Sequence, residues 1–184
     1  MKNTLWLFGI IVLAVVMGFS FVSCDSGSGG GEPDYNSGIP SDAKLSSYGI
    51  DKSVIDGLVA AAKTRASVSY GGSEYKGWVE VVMKEEGVKL SMLMFFWQER
   101  TMKTYDAVKT KLESNPGVEF SPYGLDTFED LMKDAMQLKG KMDFGAYDSY
   151  DKFCMVMMPT EDWRIDGDVV PKGFLCVTFV TWDY

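Results

Sequence analysis

Apolar and polar positions divide the chain into stretches with different periods. Residues 5–22 form an apolar run, with Lys2 the only charged side chain before Cys24. Residues 25–42 are rich in Gly, Ser, Pro, Asp and Asn and hold few apolar positions, which is linker composition. Beyond them the spacing becomes helical: Ile55, Leu58, Val59 and Ala62 recur on one side, Asp51 stands where a cap belongs, and Ile50 can staple onto Ile55. Gly71-Gly72 closes that region. Residues 77–84 and 88–96 are apolar runs joined by Glu85-Glu86-Gly87, which predicts a hairpin. Its strands would place Val79, Val81 and Met83 on one face, and Leu90, Met92 and Met94 on one face of the partner. A helix from Leu90 is the rival reading, because Leu and Met also favour helices.

A second helix is predicted over residues 102–114, with Tyr105, Val108 and Leu112 on one side and Asn115-Pro116-Gly117 as its stop. Residues 118–120 suit a short strand. Asp126 with Glu129 forms a capping box before a third helix carrying Phe128, Leu131, Met132, Ala135 and Leu138, which Gly140 ends. The remainder predicts strands near 141–147, 152–158 and 173–182, separated by residues 148–151 and by a long polar connection over 159–172. The late strands are apolar on both faces, so one face packs on helices and the other is covered as well. Two strands, two helices and then several strands predict an α+β fold: one small domain over residues 43–184, mostly antiparallel sheet with about three helices on one face.

The first two dozen residues carry an address. A positive start, an apolar core and a small residue before Cys24 are the marks of a secretory signal. Phe21-Val22-Ser23-Cys24 resembles the lipobox of bacterial lipoproteins; Val22, Ser23 and Cys24 fit, and Phe21 departs in the manner of the relaxed spirochaete lipobox. The resemblance implies removal of residues 1–23 as a signal peptide. It also implies acylation of Cys24, palmitate being the usual chain, and anchorage of the exported protein on a cell-envelope membrane. Residues 24–42 then form a tether with a reach of about 20–25 Å. Rival readings are an uncleaved signal anchor, since the run is near the lower limit for a spanning helix, and cleavage after Ser20 to release a soluble protein.

Charge and composition remove several chemistries. The full chain carries a net charge of −8, and loss of the single lysine before Cys24 makes it −9. That acidity argues against nucleic acid and against an anionic lipid surface as partners of the folded domain. Histidine is absent, which excludes Ser-His-Asp and Cys-His catalysis and most zinc sites. Of three cysteines, Cys24 is assigned to the lipid. Cys154 and Cys176 lie in apolar strand-like runs; if those runs pair about Ile165, the two cysteines face each other and a disulfide forms in the exported protein. Two buried thiols acting as small hydrophobes is the other reading.

The remaining candidates are weaker. Met92-x-Met94 and Met155-x-Met157-Met158 have the spacing of thioether clusters that bind Cu(I), but among Phe, Leu and Val they read as core filler. Asp162 to Asp168 resembles the start of a calcium loop, yet Arg164 occupies a ligand position and Gly173 stands where a closing Glu is needed. Phe95, Phe96 and Trp97 read as core, whereas Trp163, in a polar stretch, is the candidate for a contact loop. The alternation towards Trp182 and Tyr184 resembles a barrel strand, but the strands are too few for a barrel. The sequence therefore predicts a lipid-anchored, non-catalytic envelope module that binds another envelope protein, with no metal and no cofactor. The alternative is a carrier of a small apolar ligand in a Met- and aromatic-lined pocket.

Overall fold

A computed structural model describes residues 39–62, 65–70, 73–85, 87–99, 101–114, 139–146, 152–165, 168–170 and 172–183. Cys24, its signal and most of the tether lie outside these residues. So do the expected strand at 118–120 and the helix expected over 126–138.

Three helices are described: α1 (Asp42–Ser47), α2 (Lys52–Ala61) and α3 (Met102–Glu113). Ser41 caps α1, its side chain accepting the Lys44 N–H, and Thr101 caps α3 by accepting the Thr104 N–H. Asp51 is the N-cap of α2 but makes no side-chain cap bond, so the expected cap is present in position only. Ile50 and Ile55 are both buried in one cluster, as the staple requires. The helix α1 is an addition to the sequence reading, and it starts one residue ahead of the expected domain edge.

Among the described residues, nine strands follow the order β1 (Ser67–Tyr70), β2 (Ser73–Lys76), β3 (Trp78–Glu85), β4 (Val88–Trp97), β5 (Gly140–Ala146), β6 (Lys152–Pro159), β7 (Trp163–Ile165), β8 (Asp168–Val170) and β9 (Leu175–Asp183). The main sheet has the order β3-β4-β9-β6-β5, and every neighbouring pair is antiparallel. The pairs β1-β2 and β7-β8 are separate hairpins. The chain is thus an α+β domain with a mostly antiparallel sheet, as expected.

The register of the first long hairpin matches the alternation in the sequence: Val79 faces Met94, Val81 faces Met92 and Met83 faces Leu90. The rival helix from Leu90 is excluded by this pairing. Pleating sends alternate residues to opposite faces. On the helix face lie Trp78, Leu93, Phe95, Trp97, Leu175, Val177, Phe179, Cys154, Val156 and Met158, packed against Leu45 and Tyr48 of α1, Ile55 and Leu58 of α2, and Tyr105, Val108 and Leu112 of α3. Phe95 is the hub, stacked on Trp97 with centroids 6.0 Å apart and edge-on to Phe179 at 5.9 Å. The other face is buried too: Val79, Val81, Met92, Met94, Phe96, Met142, Met155, Met157, Cys176 and Val180 are all core residues. Phe95, Phe96 and Trp97 are core on both sides, as expected.

Candidate functional site

The proposed disulfide does not form. Cys154 and Cys176 are both free thiols, each buried. The strands do pair, but with a register three residues from the expected one: Cys154 faces Phe179, and Cys176 faces Met157. An odd offset also moves one partner to the opposite side of the sheet. Cys154 therefore belongs to the helix-side core, while Cys176 projects to the second face beside Thr178. The physical reason lies in the intervening chain. The β7-β8 pair continues the β6-β9 register: Ile165 faces Asp168, so the hairpin is centred between residues 166 and 167 and not on Ile165.

That hairpin also corrects the setting of Trp163. It lies on β7 opposite Val170, in a paired strand and not in a loop. Asp162, at the start of the calcium-like stretch, accepts the backbone N–H of Lys172 at 3.1 Å, a turn-closing bond. Among the described residues, no three His, Cys, Asp or Glu side chains cluster in a way that would hold a metal.

What the fold brings together instead is sulfur. Along the second face, Cys176 on the central strand β9 has Met157 directly opposite on β6 and Phe96 opposite on β4. The next position, Thr178, has Met155 on one side and Met94 on the other. Met142 on β5 extends the Met157 row by one strand. The Cys176 sulfur sits 3.6 Å from the Thr178 hydroxyl. Burial pushes both thiols up to about 12, because a thiolate is poorly solvated in an apolar interior. For Cys176 the Thr178 hydroxyl opposes that rise, and for Cys154 the backbone at Gly145 does so. Both groups are therefore protonated and weakly nucleophilic at neutral pH.

Two polar clusters tie the helices to the edges of the sheet. On β3, the Glu80 carboxylate accepts the Tyr48 hydroxyl and the Lys44 ammonium, each at 2.7 Å, so that α1 is fastened to one edge. On β5, the Asp143 carboxylate accepts the Tyr105 hydroxyl on one oxygen and the Lys109 ammonium at 3.3 Å on the other. Tyr105 also reaches the Val156 carbonyl at 3.1 Å, and the Lys141 ammonium lies 5.1 Å from the centre of its ring. Sequence reading placed Tyr105 on the correct helix face but missed both clusters. The members come together from distant parts of the chain, so no local pattern marks them. The sulfur face was partly visible, since Met92-x-Met94 and Met155-x-Met157 have the strand period.

Chemically, the second face is a neutral layer of thioethers, aromatic rings and one thiol, suited to apolar or soft ligands. The carboxylates of Glu80 and Asp143 are engaged in fastening. No protein-family model, curated protein or solved structure matches the chain.

Proposed function

We propose that this chain is an exported lipoprotein, held on an envelope membrane by acyl chains on Cys24, whose domain is a non-catalytic module that binds another envelope protein. The observation that carries the reading is the order of features along the sequence: apolar signal, Val22-Ser23-Cys24, a Gly- and Ser-rich tether, then a domain. Two or more acyl chains on one cysteine would hold it durably, since each buried methylene contributes about 0.8 kcal/mol. The non-catalytic part is supported by the lack of histidine and by two protonated, buried thiols. Labelling cells with radioactive palmitate and partitioning the product in detergent tests the anchor. Label on the wild-type chain, lost with Cys24→Ala, is the expected result. Unlabelled wild-type protein in the aqueous phase would overturn it. Crosslinking in whole cells tests the partner: one dominant protein adduct is expected, and its absence counts against a binding module.

A second reading, a carrier of a small apolar ligand, is favoured by the gathering of Met92, Met94, Met142, Met155 and Met157 on one face beside Phe96 and Phe144. Lipid released from purified protein carrying Cys24→Ala, which has no acyl anchor, and found by mass spectrometry would favour the carrier over the partner-binding module.

A further inference from the structure

We infer that the second face of the sheet holds a closed site for a soft monovalent cation, Cu(I) or its chemical analogue Ag(I), with Cys176 and the thioethers of Met94, Met155 and Met157 as ligands. The site is independent of the anchor on Cys24 and of the partner proposed above.

Its geometry follows from the register. Cys176 and Thr178 are successive same-face positions on β9, with Met157 opposite the first and Met155 and Met94 on either side of the second. The cysteine sulfur lies 3.6 Å from the Thr178 hydroxyl, on the strand between the two that carry the methionines. Directly opposed Cβ atoms in a sheet are about 4.5–5.5 Å apart and diagonal ones about 7–8 Å. A methionine carries its sulfur two bonds beyond Cβ on a flexible stem, so three thioethers from those positions can converge on one point beside the thiol.

The methionines are sorted by face. Both faces of the sheet are buried, yet among the described strand residues with assigned burial, Met92, Met94, Met142, Met155 and Met157 project to the second face and Met158 alone to the helix face. The helix face is filled by Leu, Val, Phe and Trp instead. The thioethers are thus gathered on the face that carries Cys176.

Charge selects the ion. The buried strand residues of this face include no charged side chain, so a divalent cation would leave net charge in an apolar interior. A monovalent ion that displaces the thiol proton leaves the charge unchanged: the S–H bond breaks, one metal–sulfur bond forms, and one proton goes to solvent. Hard cations require oxygen ligands, which this set lacks apart from the Thr178 hydroxyl; soft sulfur suits Cu(I) and Ag(I).

The test uses the full chain carrying Cys24→Ala in detergent, so that Cys154 and Cys176 are the remaining thiols. Ag(I) is added and counted by native mass spectrometry, and Cu(I) is titrated against a colorimetric chelator under anaerobic conditions. We expect one ion per chain with loss of one proton. Binding should be abolished by Cys176→Ser and weakened by about tenfold or more in Met155→Leu/Met157→Leu, since even the loss of an outer-shell partner costs a metal site about that much. Met158→Leu on the other face and Cys154→Ala should leave it unchanged. Leu conserves volume, so these variants keep the core filled, and circular dichroism checks that each is folded. A folded wild-type chain that takes up no ion overturns the site. So does binding that survives Cys176→Ser or that is lost with Cys154→Ala.

Discussion

Glu80 and Asp143 stand at opposite edges of the five-stranded sheet, and each carboxylate takes a tyrosine hydroxyl on one oxygen and a lysine ammonium on the other. Edge strands lack a neighbour on one side, and here each is fastened to the helix layer through its carboxylate. The tyrosines, Tyr48 and Tyr105, are buried, whereas the lysines are partly exposed.

Those burial differences set the order of the losses. Tyr105→Phe and Tyr48→Phe each remove a hydrogen bond to a charged group and leave an enclosed carboxylate oxygen short of a donor, at a cost of about 2 kcal/mol. Lys44→Met and Lys109→Met should each cost less than about 1 kcal/mol, because a partly exposed ion pair is screened. The two tyrosine effects should add, since the clusters share no partner. Urea denaturation of the four single variants and the tyrosine double variant measures all of this. A lysine variant less stable than its tyrosine counterpart would show that the ion pair dominates.

Legibility followed sequence distance. The β3-β4 hairpin was readable because the alternation of Val79, Val81 and Met83 against Leu90, Met92 and Met94 sits on either side of one short turn. The register of β6 against β9 is set by the innermost pair, Ile165 with Asp168, which puts Asp166-Gly167 at the centre; that dipeptide is a local turn signal, and centring on Ile165 passes over it. The β1-β2 hairpin is hard to read because it is short: Ser67-Val68-Ser69-Tyr70 alternates over only four residues, and Ser73-Glu74-Tyr75-Lys76 has a single apolar position. Gly71-Gly72 between them is a hairpin turn signal as well as a helix stop. The sulfur face needed both levels, since local spacing gives each pair of methionines and only the register puts Met94, Met155 and Met157 around Cys176.

The thiols predict a pH dependence. Cys154 and Cys176 have an ordinary value of 9.0 when unfolded and are pushed up to about 12 in the fold, chiefly by burial. The native state therefore holds these protons more tightly than the unfolded chain. Their contribution to stability is complete below the unfolded value and is lost as pH rises from there towards 12. The urea midpoint should fall between about pH 8 and about pH 10, and by less in Cys154→Ala/Cys176→Ala. Equal falls in the two proteins would mean that other groups cause the whole effect.

The register makes a separate prediction about crosslinking. In the native chain, Cys154 and Cys176 lie on opposite faces and should stay unlinked under mild oxidation, so both should be alkylated only after unfolding. Met157→Cys places a thiol directly opposite Cys176 on the same face, within the span a disulfide can bridge. Mass spectrometry of non-reduced peptides should find the 157–176 link in that variant. A 154–176 link in the wild-type protein would restore the register centred on Ile165.

Gly87 has one reason to be glycine and Gly140 has two. Gly140, expected as a helix stop, is the first residue of β5 and pairs with Pro159. A Cβ added there would lie 2.3 Å from the Met158 carbonyl oxygen and 2.7 Å from the Pro159 Cα. Both are backbone atoms of the adjoining strand, so no side chain can swing aside to make room. Gly87, in the β3-β4 turn, has φ +87° and nothing within 4 Å of an added Cβ. Gly87→Ala should therefore cost only the backbone term, about 1 kcal/mol. Gly140, at φ +155°, carries a backbone term as well, so Gly140→Ala should cost about 3 kcal/mol, overpacking included, and hydrogen exchange should rise along β5. Similar denaturation midpoints for the two variants would mean that β5 moves away from Pro159 freely, and the close approach of these strands would then have no energetic weight.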